Sequence, residues 1–203
     1  YEVKTLDGAG SWQATYVNTR LKLGANAVLT LPEGTNATLN RLILRDGAKV
    51  TGKGQVIATE GIRYVRAITA GKWESIALPF TASRITMATD AGATTILSPA
   101  YGNGNAGNFW LRMVSTNGAL INVNSPEMTA NQFYLIAVPN DLGGKELTFV
   151  SGANQLLRRD KVLAVKPASG FAAYANGTLD EIQVSQPCYV LKADGKSLTR
   201  VNT

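Results

Sequence analysis

The residues of this sequence best suited to binding chemistry lie in a Gly/Asn-rich stretch with aromatic residues at both ends, Tyr101 to Trp110. The stretch falls in a long region between candidate strands, where loops are more often functional or mobile than inert. Aromatic faces stack on sugar rings, and Asn amides both donate and accept hydrogen bonds to hydroxyl groups. The alternative is structural, since Gly and Asn also relieve positive φ in turns and an aromatic end can enter the core. The predicted ligand-binding residues are Tyr101, Asn103, Asn105, Asn108 and Trp110.

Catalytic chemistry has few candidates. The chain has no histidine and a single cysteine, Cys188, which removes His-based triads, disulfide frameworks and the usual zinc sites. The neighbouring carboxylates Asp180 and Glu181 begin an apparent strand, so their side chains point to opposite faces and cannot flank one glycosidic bond. We therefore expect a non-enzyme without cofactor or metal, and we keep a polysaccharide-degrading enzyme as a less favoured alternative.

The formal charge of +6 is concentrated in the first third, where residues 1–72 hold ten Lys and Arg against five Asp and Glu. This balance favours anionic partners such as acidic polysaccharide or nucleic acid. The cations are scattered, however, without the aromatic interleaving of single-strand binders, so nucleic acid is not an expected partner. No run approaches the roughly 18 apolar residues of a membrane span, so no membrane insertion is expected within this chain.

An internal repeat begins at residue 20. Arg20-Leu21-Lys22-Leu23 recurs as Arg41-Leu42-Ile43-Leu44, and at the same offset of 21 Thr30 matches Thr51. Each copy reads as a strand with alternate Leu residues, a Gly/Asn turn and another short strand. Such a unit is typical of a β-solenoid coil, although hairpins that happen to align are the alternative.

The segment Gly71 to Phe80 marks a predicted boundary. Alternation places Ile76, Leu78 and Phe80 on one face of a half-buried strand, and Pro79 belongs at a sheet edge, a bulge or the end of the strand. At most one short helix is expected, in Asn154 to Lys166. Strands typical of a sandwich are predicted at Ile85–Met87, Phe109–Val114, Leu120–Val123, Phe133–Val138, Glu146–Val150, Val162–Val165, Phe171–Tyr174, Ile182–Val184 and Tyr189–Lys192.

Two segments resemble a pattern in adhesin-like surface proteins of gut Bacteroides and their relatives. Trp73-Glu74-Ser75-Ile76-Ala77-Leu78-Pro79-Phe80 resembles the first strand of that pattern, and Met128-Thr129-Ala130-Asn131-Gln132-Phe133-Tyr134-Leu135-Ile136 resembles the second. Phe133 stands where the family has proline. The resemblance covers roughly residues 65 to 150 and implies a β-sandwich behind a repeat region, in an exported protein at the bacterial surface or outside the cell.

The sequence as a whole predicts an all-β protein. Residues 1–70 are expected to form a β-solenoid-like or hairpin region, and residues 71–203 an antiparallel, jelly-roll-like β-sandwich. The expected function is non-catalytic, adhesin-like binding of a glycan or of a host or surface protein. The alternative is a structural spacer or cap for a surface repeat array.

Overall fold

The computed structural model describes residues 2–89, 91–100, 107–115 and 119–157, together with the short strands that lie at 163–165, 173–175, 188–191 and 198–201. Over these residues the regular elements are β-strands, apart from one 3₁₀ turn at Ala14–Tyr16. The predicted all-β class is confirmed. Within the same residues no helix is long and apolar enough to cross a membrane.

The chain starts as a stack of coils. The first coil contains β1 (Val3–Leu6), β2 (Ala9–Ser11) and the 3₁₀ turn; the second contains β3 (Arg20–Leu23), β4 (Val28–Leu31) and β5 (Asn36–Leu39); the third contains β6 (Arg41–Arg45), β7 (Lys49–Gly52) and β8 (Gln55–Ala58). A further strand, β9 (Ile62–Ala67), follows. Strands of successive coils pair in parallel, with Leu21 opposite Leu42 and Thr30 opposite Thr51. The predicted offset of 21 residues is therefore the register between β3 and β6 and between β4 and β7, and the hairpin alternative is wrong because hairpin strands would pair antiparallel.

Alternation along these strands builds the interior of the solenoid. Every second residue points inward, so aliphatic side chains from successive coils lie above one another. These inward positions have no exposed surface: Leu21, Leu23, Leu29, Leu31, Leu39, Leu42, Leu44, Val50, Val56, Ala58 and Ile62. No single coil could bury such residues alone, so stacking supplies the core.

Twelve further strands follow β9 in the described residues. They are β10 (Glu74–Ile76), β11 (Ala82–Ala88), β12 (Thr94–Leu97), β13 (Trp110–Val114), β14 (Leu120–Asn122), β15 (Tyr134–Ala137), β16 (Glu146–Ser151), β17 (Gln155–Leu156), β18 (Leu163–Val165), β19 (Ala173–Ala175), β20 (Cys188–Leu191) and β21 (Leu198–Val201).

Most of the strands after β9 belong to one of two sheets, and the first of these sheets also includes strands of the coils. Sheet A has the order β1-β3-β6-β9-β16-β11-β12, and it changes from parallel to antiparallel pairing between β9 and β16. Sheet D has the order β10-β15-β13-β14 and is antiparallel throughout. Buried side chains of both sheets and of the coils belong to one hydrophobic cluster, which includes the fully buried Phe80, Phe109 and Phe149. The predicted boundary at residue 71 thus falls between strands that share a core.

The segment Gly71 to Phe80 matches its prediction in burial but not in the extent of its strand. Ile76, Leu78 and Phe80 are all buried, and regular pairing ends at Ile76, before Pro79. The short helix allowed in Asn154 to Lys166 does not form in the described part of that segment, where Gln155–Leu156 pairs with β8 and Leu163–Val165 pairs with β19. The strand predicted at Ile182–Val184 lies outside the described residues.

Candidate ligand-binding groove

The outer face of sheet D places aromatic and basic side chains together. Trp110 and Arg112 are alternate residues of β13, paired with Ala137 and Leu135 of β15. Leu111, between them, is buried on the inner face. Because strand side chains alternate between faces, Trp110 and Arg112 both point away from the core.

Trp73 joins this face from the turn that precedes β10. Gly71 adopts a φ of +76° in that turn, a left-handed conformation that L side chains rarely adopt, and the space where its Cβ would lie is empty. A groove of about 300 Å³ lies beside the turn, lined by Gly71, Lys72, Trp73, Trp110, Ala137 and Val138. We call it the Trp73–Trp110 groove. Its size is at the lower limit of small-molecule sites, roughly 300 Å³, and suits one small ring.

Arg112 is fixed beside the groove by two contacts. Its guanidinium carbon lies 4.7 Å from the ring centre of Trp73, within the range of a cation–π interaction. Its Nε donates a hydrogen bond to Oδ1 of Asn122 on β14, at 3.0 Å. The side chain is therefore held in place, and a positive charge stands next to the aromatic wall.

Glu74 anchors the turn that carries Trp73. Its carboxylate accepts hydrogen bonds from the backbone N–H of Thr69 at 2.9 Å and from Arg66 at 2.7 Å, and Lys72 lies 3.9 Å away. Burial alone would raise the pKa of Glu74, but the bonds from Thr69 and the charges of Arg66 and Lys72 together lower it. Glu74 is thus an ionised structural anchor whose negative charge is balanced by Arg66 and Lys72.

No protein-family model, curated protein or solved structure matches this chain.

The five predicted ligand-binding residues lie in different places. Trp110 lines the groove. Asn108 instead braces the chain, because its backbone N–H donates to Ser98 O and its Oδ1 accepts from the Ser98 N–H. The other three, Tyr101, Asn103 and Asn105, lie outside the described residues.

Sequence reasoning missed Lys72 and Trp73, which line the groove, and Arg112, which lies beside it. The signal was present in the alternation around β10, which places Trp73 on the face opposite Ile76. The aromatic side chains of Trp12 and Tyr16 pack against each other: their rings meet edge to face at 5.4 Å, and Tyr16 is buried.

Groups that could support other chemistry are sparse in the described part of the chain. There, no cluster of three or more Cys, Asp or Glu side chains could hold a metal ion. The carboxylates Asp180 and Glu181 lie outside the described residues, and so does the side chain of Cys188.

Proposed function

We propose that this protein is a non-catalytic binding protein whose Trp73–Trp110 groove holds a sugar unit of a glycan. The observation that carries the proposal is the pair of partly exposed tryptophans lining one groove on the outer face of sheet D. A buried tryptophan needs no ligand to explain it, whereas aromatic surface kept partly in contact with water on a sheet face is characteristic of a binding site.

The polar groups around the groove fit a hydroxyl-rich ligand. Lys72 and Arg112 supply N–H donors, and both are positioned by contacts within the protein. A donor that is already oriented loses little conformational entropy when a ligand binds, which favours recognition by a shallow site.

The experiment is a glycan and mucin array followed by titration of each hit. Replacing Trp110 with alanine removes one wall of the groove, and we expect at least about tenfold weaker binding, since buried Trp contacts are commonly worth about 2 kcal/mol. Trp110→Phe keeps a ring and should retain part of the affinity. Ile96→Ser is the control, because Ile96 is 64% exposed on sheet A and should not affect binding.

Three results would contradict the proposal. Absence of any glycan hit would remove the carbohydrate version and leave a protein partner as the ligand to seek. Hits unaffected by Trp110→Ala would place binding elsewhere. Release of reducing ends from a hit would favour a polysaccharide-degrading enzyme.

We further propose an adhesin-like role at a bacterial surface or outside the cell. Support comes from the resemblance of the segments Trp73 to Phe80 and Met128 to Ile136 to modules of surface proteins. Protease shaving of intact cells of the source bacterium, followed by mass spectrometry, tests this location. Recovery only from lysed cells would contradict it.

A second candidate, a cap for a surface repeat array, is favoured by the β9–β16 pairing. β16 covers the edge of β9 with an antiparallel strand, so the stack of parallel coils stops there. This role predicts further coils of about 21 residues before β1 in the parent protein, stacked on its edge. A parent sequence lacking them would remove the candidate.

A further inference from the structure

The outer face of sheet A carries a set of cations in register. Lys22 lies opposite Ile43, Ile43 lies opposite Arg63, and Val150 lies between Arg63 and Arg84. These residues therefore form one row across β3, β6, β9, β16 and β11. Strands are about 4.8 Å apart, so the row is roughly 19 Å long.

A second, shorter row adjoins the first. Arg20 lies opposite Arg41, two residues before Lys22 and Ile43 on the same strands. The residues between the two rows, Leu21 and Leu42, are fully buried. Both rows therefore face outward, and we name the five side chains the basic face: Arg20, Lys22, Arg41, Arg63 and Arg84.

Few carboxylates lie close enough to neutralise the positive charge of the basic face. Glu60 pairs with Arg20 at 3.0 Å and with Arg41 at 2.9 Å. Among the described residues, no carboxylate lies within 4.0 Å of the cationic groups of Lys22, Arg63 or Arg84. Among the described ion pairs, the five cations of the basic face thus share one carboxylate, that of Glu60.

The crowding has an electrostatic effect on Arg63. Burial lowers the pKa of Arg63, and the nearby charges of Arg41, Arg84 and Arg20 lower it further, against the opposing effect of Glu60. An anion on this face would relieve the repulsion and accept hydrogen bonds from the outward-facing guanidinium groups.

The shape of the face selects among anions. Guanidinium groups bind carboxylate and sulfate groups through paired N–H donors. The strand neighbours of the cations on this side of the sheet are Val3, Thr5, Ile43, Val65, Val150 and Thr86, of which Val150 and Thr86 are buried. The described face therefore offers no aromatic ring on which a nucleic-acid base could stack. It is also a sheet surface, without a described helix that could enter a duplex groove.

We propose that the basic face binds a linear sulfated or uronate-containing polysaccharide, laid across the strands of sheet A. Its anionic groups lie along the row from Lys22 to Arg84, and the chain spans several sugar units. The face is separate from the Trp73–Trp110 groove, because the core shared by sheets A and D lies between them. Neither site depends on the other.

Heparin is the probe for the test, with polygalacturonate as the uronate polymer and dextran as the uncharged polymer. The variant is the triple substitution Lys22→Gln, Arg63→Gln and Arg84→Gln. We expect the intact protein to bind heparin or polygalacturonate but not dextran at physiological salt, and the variant to bind at least about tenfold more weakly. The variant's affinity should also depend less steeply on salt concentration.

A matched control removes three positive charges elsewhere, by Lys49→Gln, Lys53→Gln and Lys145→Gln. This control has the same net charge as the test variant, but its three substitutions lie outside the basic face. It should therefore keep most of the affinity for the polyanion. Circular dichroism verifies that both variants are folded. The test variant should be at least as stable as the intact protein, since its substitutions reduce like-charge repulsion.

Each remaining outcome would overturn the proposal. Equal weakening in both triple variants would show attraction by overall charge rather than by the basic face. No binding of either polyanion at physiological salt would remove the site. Binding of single-stranded or duplex DNA more tightly than either polysaccharide, lost in the test variant, would assign the face to nucleic acid. Trp110→Ala should leave heparin binding unchanged, so failure of this proposal and failure of the groove proposal are distinguishable.

Discussion

Replacing Gly52 with alanine tests how closely the coils are stacked. Gly52 ends β7 with a φ of +85°, and it lies opposite Leu31 of β4 in the parallel register. A Cβ at this position would lie 2.2 Å from the carbonyl oxygen of Leu31. An ordinary carbon–oxygen contact is about 3.3 Å, so the backbone must move by about 1 Å.

The cost has two parts. A left-handed conformation costs an L residue about 1–2 kcal/mol, and displacing well-packed structure adds about 1–3 kcal/mol. The Leu31 carbonyl cannot move freely, because it accepts a hydrogen bond from the N–H of Gly54 at 3.1 Å. We therefore expect Gly52→Ala to lower the free energy of unfolding by about 2–5 kcal/mol.

Gly34 provides the matched control. Its φ is +80°, nearly that of Gly52, but nothing lies within 4 Å of the position of its Cβ. Gly34→Ala should incur the conformational cost alone, about 1–2 kcal/mol. Urea unfolding followed by circular dichroism measures both variants, with equal m-values as the condition for comparison. If the two variants are equally destabilised, the close contact between the coils does not exist as described.

Two further predictions concern ionisable groups. Glu74→Gln should lower the free energy of unfolding by about 1–2 kcal/mol at pH 7. Because the pKa of Glu74 is lowered in the folded protein, the difference in stability between the two proteins should shrink as pH falls below about 4.3. A stability difference independent of pH would contradict the anchoring role. Burial and the hydrogen bond to Asp46 raise the pKa of Tyr64, so the protein should lose stability as pH rises above about 10, where the unfolded tyrosine ionises. Tyr64→Phe should lower the free energy of unfolding by about 1 kcal/mol at pH 7 and make the loss of stability at alkaline pH less steep. Thermal melts from pH 8 to 11 would measure both effects. An unchanged dependence of stability on pH would argue against a buried, neutral Tyr64.

The fold was predictable where the sequence repeats or alternates. The match of Arg20-Leu21-Lys22-Leu23 to Arg41-Leu42-Ile43-Leu44 is a parallel register in the structure, because stacked coils place equivalent residues side by side. The continuous apolar run Phe133–Val138 also indicated a covered strand, and β15 lies in the interior of sheet D with Tyr134 and Ile136 buried. Local periodicity reports burial directly, which explains these successes.

Features that depend on contacts distant in sequence were not predictable. β12 was missed because its residues are mostly exposed, as Ile96 illustrates, and an exposed edge strand has little periodic signal. The groove escaped prediction for a related reason. Trp73 and Arg112 lie about 40 residues apart, and only the pairing of β10 and β13 with β15 brings them together.

The change of pairing between β9 and β16 has a consequence for the order of folding. Contacts between coils join residues about 20 positions apart, whereas Arg66 pairs with Leu147, about 80 positions away. Closing the longer loop costs more chain entropy before any contact compensates for it. The coils can therefore nucleate early and present β9 as a template, and β16 docks on that template late. The slow step of folding is expected to be this docking, which joins the two halves of sheet A.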